Sequence, residues 1–234
     1  ALDKLTEGKI TLTAVKDTRS NVTDIAGLAG VDMSNAVATI DDAVSLSEAE
    51  DLDKLTEGKI TLSAVKDTYA NVQEVKKIDD ARVDMGAANV QVTSQTNITE
   101  INDLRGDTAG NITIDDVSES KANLETINGY GDVSLASADI SVTDVVTKDQ
   151  ADDIHGYNTA AGTTVTLTAV SDSFNNIDSL QGTDGVVMTG ATITATSAQA
   201  VTKANVTRLD GFTNALVTVA SVKDTKSNVT DIAG

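Results

Sequence analysis

The sequence predicts an α/β chain: a right-handed solenoid of about nine strand–turn–short-helix coils carrying a parallel β ladder. Three observations predict it. First, a β-prone stretch returns at a long period. Ile10-Thr11-Leu12-Thr13, Ile60-Thr61-Leu62-Ser63, Ile112-Thr113-Ile114, Val165-Thr166-Leu167-Thr168 and Val217-Thr218-Val219 start 50, 52, 53 and 52 residues apart. Second, the long period has two halves. Val37, Val90, Ile140 and Ile193 begin a second strand set between the first, and the mean step is about 26 residues, the size of one solenoid coil. Third, the strands lead into runs with apolar residues three apart. Right-handed winding follows from the crossover rule for strand–helix–strand units. A pure β-solenoid, with those runs as irregular arcs, is the alternative reading.

The strands alternate aliphatic residues with Thr, the period-2 pattern of a strand with one buried face. Asp17, Asp67, Asp172 and Asp224 follow the first set, with Glu119 in the remaining coil. At these places an Asp fits a helix N-cap, accepting from an otherwise unpartnered N–H. Val22/Ile25/Leu28, Val72/Val75/Ile78 and Ile177/Leu180 then give a two-turn helix one apolar stripe. Ile98/Ile101/Leu104 and Val206/Leu209/Phe212 do the same in the other half. Gly27, Gly106, Gly129, Gly156, Gly182 and Gly211 fit the position just past a helix end. Val31-Asp32-Met33, Val83-Asp84-Met85, Val133-Ser134-Leu135 and Val186-Val187-Met188 read as one extra small strand per long period. The organisation expected is a single solenoid over 1–234, with double repeats at 10–59, 60–111, 112–164 and 165–216 and a partial one at 217–234.

Asn recurs at one position of the first half: Asn21, Asn71, Asn123, Asn176 and Asn228. Asn21, Asn97, Asn111, Asn205 and Asn228 stand in glycosylation sequons. Asn71, Asn123 and Asn176 keep the position without the sequon, which favours an Asn ladder satisfying backbone groups in the turns.

Of the 234 residues 40% are hydrophobic, so a core can form, yet only five are aromatic and none is Cys, Pro or Trp. The core must be layers of small aliphatics, and disulfides and thiolate metal sites are excluded. The net charge of -19 argues against nucleic acid and anionic lipid, since no basic face could displace counterions from phosphate. No apolar run is long enough to insert in a membrane. No leader peptide is legible at Ala1, and Leu2–Lys9 matches Leu52–Lys59, as Ser227–Gly234 matches Ser20–Gly27. The expectation is an excerpt of a longer array.

No enzyme is expected. The one His, His155, falls beside Asp152 and Asp153 in what reads as a variable loop, and no nucleophile elbow, HExxH or P-loop is present. The pairs Asp41-Asp42, Asp79-Asp80, Asp115-Asp116 and Asp152-Asp153 read as solvated loops. No cofactor or metal is expected; calcium is the one ion such acidic loops leave open, although the D-x-[DN]-x-[DN]-G loop is absent. A candidate exposed Thr array, Thr11, Thr13, Thr61, Thr166, Thr168, Thr194 and Thr196, would step by about 4.8 Å between stacked coils, as on an ice-binding solenoid. Gln91 and Asp115 interrupt it.

The Asp-Thr-x-x-Asn-Val pattern, the Ile-Thr-Leu-Thr strands and the Cys-free acidic background resemble the tandem repeats of giant secreted bacterial cell-surface proteins. Those of marine cyanobacteria associated with swimming, and adhesin-like and hemolysin-like proteins, carry similar arrays. The resemblance covers essentially the whole chain. It implies an extracellular or cell-surface bacterial location and a structural or adhesive role, and it transfers no active site. The expected function is a structural repeat segment, a stiff rod stacking end to end with copies of itself or flanking repeats into a filament or surface layer. An adhesin stalk or binding module is the alternative.

Overall fold

Each aliphatic–Thr stretch becomes a strand, because β-branched residues fit a pleated, half-buried surface, and each following polar run becomes a helix of about two turns. The computed structural model describes residues 8–78, 82–196 and 200–233. The leading Leu2–Glu7 match, the Asp79-Asp80 pair and Gly234 lie outside the described residues. The protein is α/β, and its strands pair in parallel.

The chain forms two compact bodies, the first reaching Asp115 and including Asp132–Ser134, the second formed by Asp116–Gly131 and the residues from Leu135 onward. The first holds β1 (Ile10–Thr11), β2 (Ala14–Asp17), α1 (Arg19–Ala26), β3 (Val31–Asp32), β4 (Val37–Val44), α2 (Leu46–Asp53), β5 (Ile60–Asp67), α3 (Tyr69–Val75), β6 (Val83–Asp84), β7 (Asn89–Thr96) and α4 (Ile98–Asp107). It also takes the start of β8 (Ile112–Glu119) and β9 (Val133–Ser134). The second holds the end of β8, α5 (Lys121–Asn128), β10 (Asp139–Val146), α6 (Lys148–His155), β11 (Val165–Asp172) and α7 (Phe174–Gln181). It continues with β12 (Val186–Val187), β13 (Thr192–Ala195), α8 (Lys203–Asp210), β14 (Val217–Val219) and α9 (Lys226–Ala233).

Half-repeats of two kinds alternate. The first kind carries β1/β2, β5, β8, β11 or β14 and the helix that follows; the second carries β4, β7, β10 or β13. A first-kind strand meets two second-kind neighbours with different parts of its length. Ile60–Leu62 of β5 lies beside Ala38–Ile40 of β4, whereas Ala64–Asp67 lies beside Asn89–Val92 of β7. In the second body Val165–Leu167 lies beside Ile140–Val142, and Ala169–Asp172 beside Thr192–Ala195. The small strands β3, β6, β9 and β12 pair with the starts of first-kind strands, as in Ile60 beside Val83 and Val165 beside Val186.

Acid pairs expected in loops fall inside regular elements. Asp41-Asp42 lies in β4, Asp115-Asp116 in β8 and Asp152-Asp153 in α6. The register slips by one residue between Ile40 and Ala43, and again between Val142 and Val145, so Asp42 and Asp144 sit at bulges. A bulge re-aims a side chain that regular pairing would fix. The glycines also differ from expectation. Gly27, Gly129, Gly156, Gly182 and Gly211 end their helices in right-handed conformation, not the left-handed one that requires glycine, and Gly106 lies inside α4.

The first body buries Ile60, Leu62, Val65 and Val92 of its strands against Leu52, Val72, Ile101 and Leu104 of its helices. The second buries Ile140, Val142, Leu167 and Val170 with Leu124, Ile154, Ile177 and Leu180. Each such side chain contributes about 1.5–3 kcal/mol by leaving water. Polar atoms enter at a repeated point. The Oγ1 of Thr56, Thr108 and Thr213 donates to the carbonyls of Ala36, Ala88 and Ala191 at 2.7, 2.6 and 2.6 Å. The same oxygens accept the N–H of Gly58, Gly110 and Ala215. Thr108→Val keeps the shape and strands both partners, so chemical denaturation should show a loss of about 1–3 kcal/mol. The equally isosteric change at exposed Thr143 should leave stability within about 0.5 kcal/mol.

Candidate functional site

At six turns from strand into helix, those opening α1, α2, α3, α5, α6 and α8, side chains of two successive half-repeats meet. Strand β5 ends at Asp67, and the N-cap of α3 is the next residue, Thr68, whose side chain accepts from Asn71 N–H. Asp67 Oδ1 accepts the Thr68 N–H and the Asn71 side-chain amide, both at 2.8 Å. Its Oδ2 accepts the N–H of Leu46, first residue of the preceding helix α2, at 3.0 Å. One carboxylate thus orders its own turn and caps the helix before it.

The arrangement recurs. Asp172 takes Ser173 N–H and the Asn176 amide on Oδ1 and Lys148 N–H on Oδ2. Asp224 takes Thr225 N–H, the Asn228 amide and Lys203 N–H. Asp17 takes Thr18 N–H and the Asn21 amide. Glu119 accepts from Ser120 N–H and the Asn123 amide in the same way. Second-kind half-repeats return the bond. The bulged Asp42 accepts Arg19 N–H of α1 at 2.7 Å, Asp144 accepts Lys121 N–H of α5 at 2.9 Å, and Ser94 Oγ accepts Tyr69 N–H of α3 at 3.1 Å. Their own helices close with boxes in which Glu48, Glu100 and Gln150 receive the N-cap N–H of Ser45, Asn97 and Thr147.

Three expectations change here. Asp17, Asp67, Asp172 and Asp224 are not N-caps of the helices that follow them; Thr18, Thr68 and Ser173 cap three of those helices, and the aspartates stand one residue earlier. The physical reason is that an N-cap's side chain reaches only its own helix, whereas one step back a carboxylate can span two. Asn21, Asn71, Asn123, Asn176 and Asn228 are not a ladder on turn backbone; each gives its amide to the carboxylate four residues earlier in its own half-repeat. A glycan on Asn21 or Asn228 would replace one of the two hydrogens of that amide nitrogen. The Thr columns do not run through. In register Thr61 stands between Thr39 and Asp84, Thr11 beside Asp32, Gln91 beside Lys66, and Thr166 between Ser141 and Val187. Thr194 does lie between Ser171 and Thr218, but Thr168 spends its hydroxyl on the Val142 carbonyl. Thr13 and Thr196 remain exposed.

The second body also holds a cleft of about 670 Å³ lined by His155, Asn158, Gly162, Thr164, Asp184 and Gly185. Asn158 takes the place of the buried threonines, giving its amide to Ala138 and Thr164 carbonyls at 3.3 and 3.2 Å. The following strand begins seven residues later, not four as after Thr108, and the extra residues turn through Gly162 at φ 87°. Asn158 Oδ1 and His155 Nδ1 are buried with no protein partner. A Cβ on Gly185 would stand 3.3 Å from His155 Cε1, a tight contact, and the φ of 81° there itself favours glycine. His155 is thus the last residue of α6 and not part of a loop. An acceptor and an imidazole nitrogen so placed can hold a water or a small polar molecule. The sequence signal for this cleft was the step of 25 residues from Ile140 to Val165, against 23, 22 and 24 at the equivalent places.

Among the described residues no group of three His, Cys, Asp or Glu is placed to hold a metal ion, and no helix is long and apolar enough to cross a membrane. No protein-family model matches the chain, and no curated protein or solved structure is significantly similar to it.

Burial pushes the Asp67 and Asp172 carboxyls up, but the N–H donors around each outweigh it and both lie below the ordinary range. Asp17 is lowered by the Asn21 amide and Thr18 N–H, and Asp224 by Lys203 N–H, Asn228 and Thr225. A folded-state value below the unfolded one, about 3.9, makes a contribution that is complete above that pH and lost as pH falls through the folded value. Thermal unfolding between pH 6 and 2 should therefore show stability dropping below about pH 4. Asp67→Asn and Asp172→Asn turn an amide toward an N–H donor; each should cost about 1–3 kcal/mol at pH 7 and flatten part of the acid slope.

Proposed function

We propose that this chain is a structural repeat segment of an extracellular or cell-surface protein, its half-repeats wound as a solenoid and joined end to end to flanking repeats. The observation that carries this reading is the shared carboxylate. Leu46, Lys148 and Lys203 each open a helix whose first N–H is held by an Asp of the next half-repeat. Each of these helices has an N-cap of its own, but its first N–H finds its acceptor only in the next half-repeat, as in a repeat array stable through its neighbours.

The mechanism is mechanical. Extending the chain must separate paired strands and break charge-assisted caps together, so load is shared among successive half-repeats. The excess of 36 acidic over 17 basic residues keeps the surface solvated and self-repelling at low salt. The placement outside a bacterial cell rests on the resemblance to giant surface-protein repeats. The reading needs no active site, metal or nucleic acid. A second reading, a binding module or adhesin stalk, draws support from the cleft at His155 and Asn158.

Pulling the chain between its two ends in an optical trap tests the proposal. It should resist and then lengthen in a few discrete, cooperative steps, at lower force in Asp67→Asn. Smooth extension at low force, unchanged by that substitution, would remove the load-bearing role.

A further inference from the structure

At one place the second body departs from a pattern that the first body shows twice. In the first body the eighth residue of α2 and of α4 forms an ion pair with the residue whose carbonyl receives the first N–H of a first-kind strand. Asp53 of α2 holds the Arg82 guanidinium at 2.7 Å, and the Arg82 carbonyl accepts Ile60 N–H. Arg105 of α4 holds Asp132 at 2.9 Å, and the Asp132 carbonyl accepts Ile112 N–H. The two pairs occupy the same place with their signs exchanged. Arg82 also reaches Glu57 at 2.7 Å, and its side chain is only 16% exposed.

In the second body the matching residues are His155, eighth in α6, and Gly185, whose carbonyl accepts Val165 N–H at 2.8 Å. Glycine brings no side chain to the pair, and the cleft of about 670 Å³ lies here. The neighbouring loop departs too. Thr56, Thr108 and Thr213 each receive an N–H from two residues on, whereas the buried Asn158 Oδ1 receives none. Its direction is fixed, because the amide nitrogen gives its hydrogens to the Ala138 and Thr164 carbonyls. The atom left over is an acceptor. His155 Nδ1, also buried and without a partner, is an acceptor when Nε2 carries the ring proton. Asp184 adds a carboxylate, and among the described residues lining the cleft none is Lys or Arg. Buried acceptors beside a carboxylate suit a ligand that is cationic and rich in N–H donors.

We infer that this cleft binds a guanidinium group, set between His155 and Gly185 as the Arg82 guanidinium is set beside Asp53. Its N–H groups donate to Asn158 Oδ1 and His155 Nδ1, and its charge faces Asp184. A planar fork of donors meets acceptors on separate sides, which the point charge of an ammonium does less well. The volume suffices for a small molecule or a single side chain. Both acceptors are closed to solvent, so entry requires the exposed turn Thr159–Gly162 to give, and a Cβ added at Gly162 would meet nothing within 4 Å. The site supplies a ligand for the binding-module reading and is independent of the mechanical one.

His155 is the only histidine of the chain, so its ring proton signals report on the site directly. The full 234-residue chain is titrated with methylguanidinium chloride at constant ionic strength while those signals are followed by nuclear magnetic resonance. A saturating shift with a midpoint of about 1 mM is expected. Asp184→Asn should weaken binding about tenfold, whereas Asp149→Asn, the same loss of charge on exposed α6 surface outside the lining, should leave it within about twofold. A blocked Gly-Arg-Gly peptide reads the source. A midpoint as low as that of methylguanidinium assigns the group to an arginine side chain, and no response to the peptide assigns it to a free small molecule; both results keep the site. No saturation by either probe below about 50 mM, or equal weakening by the two substitutions, would overturn the guanidinium site. So would a shift produced by sodium acetate and not by methylguanidinium, which would make the cleft an anion site with His155 in the role of Arg105. A chain that resists pulling in discrete steps but shows no saturation loses this site alone. One that saturates but extends smoothly loses the mechanical role alone.

Discussion

A helix of two turns is mostly ends. Its first N–H groups have no partner within the helix, and in an eight-residue helix they are half of all the N–H groups it has. Such helices are too short to persist by propensity. Here the requirement is met by a carboxylate placed between two helices, ordering its own turn with one oxygen and closing the preceding helix with the other. The rest of the architecture follows from that sharing. The strand must end at the acid, the cap must be the next residue, and the next half-repeat must lie close enough for Oδ2 to reach back.

The bulges of β4 and β10 are part of the same solution. Second-kind half-repeats carry their acid inside the strand, where regular pairing would point it along a fixed row. One extra residue at Asp41-Asp42 and at Thr143-Asp144 turns the side chain toward the helix N-terminus of the preceding half-repeat. Acids beside opening helix N–H groups also complement the helix dipole. Part of the chain's negative charge thus has a structural place, whereas surface pairs such as Lys54–Asp51, both largely exposed, add little to stability.

Strand positions were legible in the sequence because period-2 alternation survives every repeat: Ile60, Ile112 and Val165 begin strands where the pattern places them, and the short strands at Val31, Val83, Val133 and Val186 were legible too. Helices α2 and α6 were less legible, since Leu46–Asp53 and Lys148–His155 carry mostly polar residues and bury only Ala49 with Leu52 and Ala151 with Ile154. The caps were misread by one residue, because Asp and the following Thr or Ser are both good N-cap types and only geometry separates them. The Thr array failed on register: a first-kind strand offers each half of its length to a different neighbour, so sequence columns are not spatial columns. Asn158 was invisible because its role appears only beside Thr56, Thr108 and Thr213 in equivalent places.

The most direct measurement is a pH titration by nuclear magnetic resonance that follows the Asp67 carboxyl and the Leu46 amide proton together. The account predicts that both move with one midpoint below the ordinary aspartate value of about 3.9, and that the Leu46 response vanishes in Asp67→Asn. A Leu46 amide that stays flat while Asp67 titrates at the ordinary value would mean that the carboxylate does not join the two half-repeats.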